Sequence, residues 1–285
     1  MGRPSREKRY QLVKKFTSNP LILIGFSIIA IILLLAFLAP LIAPYEPDAI
    51  DVKSILLAPN TSHLMGTDGL GRDVFSRMLY GARISLLVGF VAVGISTLIG
   101  IILGALAGFY RGWVDTLIMR LVDVMLSIPT FFLILAVIAF LTPSIWNIMI
   151  VIGLTSWMGV TRLVRAEFLS LRNREFILAA QTLGAKDARL IFTHLLPNSL
   201  TPIIVSSILG IASAVLLESG LSFLGLGVQA PQASWGNILT DGKEYIQFAW
   251  WLSLFPGLAI LITVLGYNLL GDGLRDAYNP RSNQH

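Results

Sequence analysis

Six stretches of this chain run for about 18 residues or more without a charged side chain, long enough to cross a bilayer as helices. They are Leu21–Ala43, Ile84–Phe109, Val124–Leu141, Ser144–Thr161, Leu195–Leu217 and Phe248–Leu270. A chain buried in hydrocarbon must satisfy its backbone N–H and C=O groups internally, and a helix does so within one segment. The apolar residues form continuous runs, not a stripe at 3.6-residue spacing, so a soluble helical bundle does not fit. Charged residues make up only 13% of the chain, against about 25% in a typical soluble domain. The expected fold class is therefore an all-α integral membrane protein with six transmembrane helices.

The third and fourth runs are joined by the proline turn "TPSIW" and are expected to form a helical hairpin. The first run follows a basic segment, as a signal peptide would. Its apolar core is too long for one, and Pro40 and Pro44 mark an ordinary helix end, so an uncleaved span is expected. Lysine and arginine then set the orientation. Sixteen of them lie on the side of the amino terminus, from Arg3 to Lys15 and at Arg111, Arg120, Arg162, Arg165, Arg172, Arg174, Lys186, Arg189, Arg275 and Arg281. Five lie opposite: Lys53, Arg72, Arg77, Arg83 and Lys243. Both termini are expected in the cytoplasm. The layout is a tail (1–20), a first helix (21–43), an outer loop (44–83), a core (84–270) holding a cytoplasmic loop (162–194), and a second tail (271–285). A further outer loop spans Glu218–Gln247.

Several chemistries are missing. The chain has no cysteine, which excludes disulfides and thiolate metal sites. No run matches the phosphate-binding loop G-x-x-x-x-G-K-[ST]; "GTDGLGRD" (Gly66–Asp73) is glycine-rich but lacks the lysine–hydroxyl pair. His63, His194 and His285 are far apart and show no ligand spacing. No serine–histidine–acid arrangement is evident. The net charge of +5 comes from residues flanking apolar runs, so it reads as membrane orientation and not as a nucleic-acid surface. Asp123 and Glu218 sit at the ends of the runs. Interiors almost free of ionisable groups weigh against a secondary transporter acting alone, although backbone carbonyls can bind sodium. A scaffold or sensor remains a third class. The pattern is a conduit whose energy source is a partner.

Gly100, Gly104 and Gly108 recur every four residues, placing three glycines on one helix face where another helix can pack closely. The segment "TRLVRAEFLSLRNREFILAAQTLGAKDARLIFTHLLPN" (161–198) is helix-compatible and free of proline until Pro197. Gly184 suits the left-handed residue that ends a helix. Asp187 falls in the first turn of a second helix, where a negative charge is favoured. The expected local structure is helix, glycine turn, helix. Ala179 and Ala180 are small enough for another surface to approach, while Lys186, Asp187 and Arg189 make the tip polar. A mere connector could be much shorter, so the segment reads as a docking element.

The same segment resembles the cytoplasmic loop of ATP-binding-cassette importer permeases, whose pattern is Glu-Ala-Ala, three residues, Gly, nine residues, Ile-x-Leu-Pro. Ala179, Ala180, Gly184, Leu196 and Pro197 match; Leu178 stands at the glutamate position and His194 at the isoleucine position. The "H-x-L-P-N" ending is similar to the peptide and nickel branch. Three further segments resemble the second-permease (C-type) subunits of that branch. They are "LMGTDGLGRDVFSRMLYGARISL" (64–86), "SFLGLGVQAPQASWGNIL" (222–239) and "GDGLRDAYNPR" (271–281).

The resemblance implies a type I importer permease fold and a non-catalytic subunit binding no cofactor or metal of its own, with ATP and magnesium in partner subunits. The implied partners are a homologous second (B-type) permease, two ATPases, an extracytoplasmic substrate-binding protein and the surrounding lipid. Ala179 to Arg189, including Ala185, with His194 and Pro197 beyond, would couple to an ATPase. Asp68, Arg72, Asp73, Gly225, Gly227, Pro231 and Trp235 would either dock the binding protein or pack into a cap over the pathway; Asp68, Arg72 and Asp73 would pair with each other or with the partner. The cargo would be di- or oligopeptides, or alternatively nickel or a metal chelate.

Overall fold

The computed structural model describes residues 19–278. The basic residues from Arg3 to Lys15, and Arg281 and His285, lie outside that range, as does the end of the 271–281 motif. Among the described residues all regular structure is helical, apart from one isolated bridge between Thr67 and Asp73. The helices are α1 (Pro20–Ile42), α2 (Val74–Tyr110), α3 (Gly112–Leu126), α4 (Thr130–Ile138), α5 (Ile145–Leu154), α6 (Met158–Arg172) and α7 (Glu175–Thr182). A single turn, Asp187–Arg189, then enters a π-helix, Leu190–Leu195. It is followed by α8 (Leu196–Phe223), α9 (Trp235–Glu244) and α10 (Trp251–Tyr278).

Among the described residues five helices are long and apolar enough to cross a membrane: α1, α2, Ile145–Arg172, Asp187–Phe223 and α10. The expected third span is the exception. It is a pair, α3 and α4, bent by 82°. The bend falls at Pro129, which caps α4; proline has no N–H to continue the ladder and pushes its predecessor out of the helical region. Counted as one broken span, the pair makes six. The spans also outrun their hydropathic runs. α2 begins at Val74, inside the expected outer loop; α6 continues to Arg172, inside the expected cytoplasmic loop; α10 continues to Tyr278, inside the expected tail. α8 runs on to Phe223, and α9 stands within the second outer loop.

The chain divides into two compact units, one gathering residues up to 89 with 142–148 and 208 onward, the other 90–141 with 149–207. In the first unit α1 packs on α10 through small residues. A Cβ on Gly25 would stand 2.5 Å from Leu270 N, and one on Gly273 would stand 2.7 Å from Ile22. Asn19 caps α1 with its side-chain oxygen on Leu21 N, and its amide donates to Gly273 O at 3.2 Å. In the second unit the glycine stripe of α2 faces α6. Cβ atoms on Gly100, Gly104 and Gly108 would meet Val160, Thr161 O with Val164, and Phe168 at 2.5–2.7 Å. Val164 and Phe168 are buried there with Ile177, Leu190 and Leu195, so the loop after α6 is rooted in the same core.

Candidate functional site

The segment from α7 to the π-helix is held from below and open above. Ile177 is fully buried against Phe168, Leu190 and Leu195, and Ala180 and Ala185 pack on that cluster. Positions 177 and 180 lie three apart on one helix face. α7 ends where glycine allows it to. Gly184 has φ of 78°; its N–H donates to Gln181 O at 2.9 Å, and Ala185 N–H donates to Ala180 O at 3.0 Å. This is the paired closure of a Schellman motif. Ala179, Lys186, Asp187, Arg189 and Pro197 are exposed and His194 is half-buried. Among the described residues Lys186, Asp187 and Arg189 form no ion pair within 4 Å.

One feature of this surface is not evident from the sequence pattern. Among the large apolar side chains of this segment Leu183 is the most exposed, at 88%, and Leu178 is 49% exposed. The outward face is thus apolar leucine flanked by a polar tip. A leucine directly before a turn glycine in a polar loop is the signal that would have found it. The element is braced at its base. Arg165 bonds Asp115 through two nitrogens, at 2.5 and 2.6 Å, and Arg172 donates to Phe109 O at 2.5 Å. Arg162 and Asp123, both about half exposed, pair at 2.6 Å; such an open pair contributes little.

The outer-loop candidates turn inward. Asp68, Arg72, Asp73 and Trp235 are all buried. Asp68 accepts from Leu70 N and Arg72 N and from Arg72 Nε at 2.7 Å. Asp73 caps α2, accepting from Ser76 N at 2.8 Å, and contacts His63 Nδ1 at 2.9 Å. Arg72 and Arg77 both reach Asp241 on α9, at 3.1 and 3.3 Å. Burial holds the Asp241 carboxyl above its ordinary range, against the opposing pull of Arg77 and Arg72. The glycine-rich loop 66–73 is therefore a knot of internal hydrogen bonds.

Trp235 donates from Nε1 to Met78 O at 3.1 Å, so this aromatic anchors the loop to its own chain. Gly225 has φ of 79° and closes α8 as Gly184 closes α7, with Gly225 N on Ser222 O and Leu226 N on Leu221 O. Gly227 is buried, and a Cβ there would collide with Ser222. Pro231 is exposed and borders an open cleft.

Glu218 follows directly on the apolar run that ends at Leu217, and the helix continues past it to Phe223. It lies inside α8, fully buried, accepting from Ser222 Oγ at 2.8 Å and Ser85 Oγ at 3.3 Å. Those serines in turn accept from Val228 N and Trp235 N, both at 3.2 Å. The second outer loop hangs from one carboxylate through two hydroxyls. Among the described residues no cluster of three or more His, Asp or Glu side chains has the arrangement to hold a metal.

Comparison with known proteins places this geometry. A family model described as "Binding-protein-dependent transport system inner membrane component" matches residues 100–284. Another, "N-terminal TM domain of oligopeptide transport permease C", matches residues 10–59. The chain is 46% identical over 278 residues to the dipeptide transport system permease protein DppC of Alkalihalophilus pseudofirmus, covering 98% of this chain and 90% of that one. It is 42% identical to the probable D,D-dipeptide transport system permease protein DdpC of Escherichia coli, covering 98% and 95%. It is 40% identical to the oligopeptide transport system permease protein OppC of Bacillus subtilis, covering 94% and 88%. Among solved structures, an inward-facing form of the MetNI methionine ABC transporter matches with a TM-score of 0.59 at 18% identity, covering 70% of this chain and 95% of that one, a likeness of fold. Apolar spanning helices, a family match over residues 100–284 and relatives alike along nearly the full length agree: this chain belongs to the family of binding-protein-dependent transport system inner membrane components.

Proposed function

We propose that the chain is a permease subunit of an ATP-driven importer of di- and oligopeptides. One observation carries this reading: relatives 40–46% identical across 94–98% of the chain bear the names of dipeptide and oligopeptide permeases. The subunit itself is non-catalytic. It works with a second, homologous B-type permease, two ATPases that bind ATP and magnesium, and an extracytoplasmic binding protein that delivers the peptide. Both termini face the cytoplasm, in keeping with sixteen basic residues on that side against five opposite.

Ala179 to Arg189 is the coupling element. Closure of the ATPases on ATP pushes on Leu178, Leu183 and the polar tip, and the spans rock between inward- and outward-facing states. The rooting of Ile177, Leu190 and Leu195 in one core supports this, since a lever must be stiff at its base. Reconstitution tests the whole reading. Proteoliposomes holding this chain, the second permease and the ATPases, supplied with binding protein and ATP, are expected to take up dipeptide. Vesicles lacking this chain are expected to take up none. ATP-independent uptake by the chain alone would overturn the proposal in favour of a secondary transporter.

A further inference from the structure

α2 is 37 residues long, about 55 Å at 1.5 Å per residue, whereas the hydrocarbon core is about 30 Å thick. Its charged residues, Arg77 and Arg83, both lie in its amino-terminal third, so that third is the part that projects beyond the hydrocarbon. Beside it, within the first unit, a cleft of about 390 Å³ opens between α2, the start of the first outer loop and the stretch before α9. That volume falls in the range of small-molecule sites. The walls include Ile84 and Leu87; the polar groups are Asp48, Tyr80, Arg83 and Gln232.

The two charges in this cleft are not tied up as the buried arginines of the first outer loop are. Arg72 and Arg77 are tied to Asp68 and Asp241. Asp48 and Arg83, both exposed, have no ion-pair partner within 4 Å among the described residues. Arg83 lies over the Tyr80 ring, 5.9 Å from its centroid. That contact is not a hydrogen bond, so the guanidinium keeps its N–H donors for a carboxylate. One cleft thus offers an unpaired cation, an unpaired anion, apolar walls and a side-chain amide.

We propose that this cleft receives a short zwitterionic peptide, with Arg83 holding its carboxylate terminus and Asp48 its ammonium terminus, as a station between binding protein and pathway. The inference rests on the peptide-importer reading. Ile84 and Leu87 take side chains of any apolar shape, while Gln232 has donors and an acceptor for main-chain groups. The ends, common to every short peptide, are recognised, and the side chains are not.

The test uses the complete permease–ATPase complex in nanodiscs without binding protein, with saturation-transfer NMR on alanylphenylalanine, its carboxyl amide and its N-acetyl form. The unmodified complex is expected to bind the free dipeptide more tightly than either capped form. Arg83→Gln is expected to weaken the free dipeptide about tenfold, the size of one lost charge-assisted hydrogen bond, with no change for the amide and with recovery in Arg83→Lys. Asp48→Asn is expected to show the reciprocal pattern with the N-acetyl form. Equal affinity for all three peptides, or equal affinities in all variants, overturns the cleft assignment, as does absence of binding. Import of dipeptide by the unmodified complex with its binding protein is measured in parallel. Import without end-dependent binding sinks the cleft alone, and no import at all sinks the importer reading beneath it.

Discussion

At Gly184 the chain needs a conformation and not a space. A Cβ there would meet nothing within 4 Å, yet φ is 78°. For a β-branched residue that backbone costs about 1–3 kcal/mol, whereas asparagine tolerates it. Gly184→Val should therefore lower peptide-stimulated ATP hydrolysis of the assembled complex about fivefold or more, the population change produced by about 1–2 kcal/mol. Gly184→Asn should retain most of it. Equal loss in both would mean that the glycine serves the ATPase contact by its size. The site was half legible at this scale. Alanine, glycine and charge named the segment and its turn. The exposure of Leu183 had a local signal in its place before the turn glycine; that of Leu178 was hidden, because it depends on which face Ile177 turns toward the core.

Between elements, the stripe on α2 makes a sharper contrast. At Gly104 a Cβ would stand 2.6 Å from Thr161 O and 2.7 Å from Val164, whereas at Gly94 it would meet nothing within 4 Å. Overpacking of this kind costs about 1–3 kcal/mol, while alanine in an open helix position gains about 0.5–1 kcal/mol over glycine. Gly104→Ala should lower the thermal midpoint of the purified chain and Gly94→Ala should leave it level or raise it. A scan in which both behave alike would remove the case for close α2–α6 packing. The four-residue spacing made this face readable in advance, because helix geometry alone sets it. Helix ends were less readable. Hydropathy marks where the uncharged run stops, and α2, α6 and α10 continue past that point as helix. The bend at Pro129 was written in the sequence, but a run counted only for charge passes over it.

For the molecule as a whole, orientation rests on charge distribution, and the sequence supplies a clean means of testing it. With no native cysteine, single reporters need no background removal. Val52→Cys should label with an impermeant maleimide on intact cells, and Asn173→Cys only after permeabilisation; both positions are exposed. The reversed pattern would invert the proposed topology and strand the coupling element on the wrong side. The pairing of Asp68 with Arg72 was one of two readings open in the sequence, whereas pairing across 169 residues, as from Arg72 to Asp241, leaves no local trace there. Glu218 carries the same lesson into biogenesis. As α8 emerges it brings a carboxylate into its outer end before the loop that will cover that carboxylate has been made. Ser85 is already in place on α2, but Val228 and Trp235, which lock the two serines, follow later in the chain. The cover of this carboxyl is complete only once the chain beyond α8 has arrived, so the order of synthesis becomes an order of assembly.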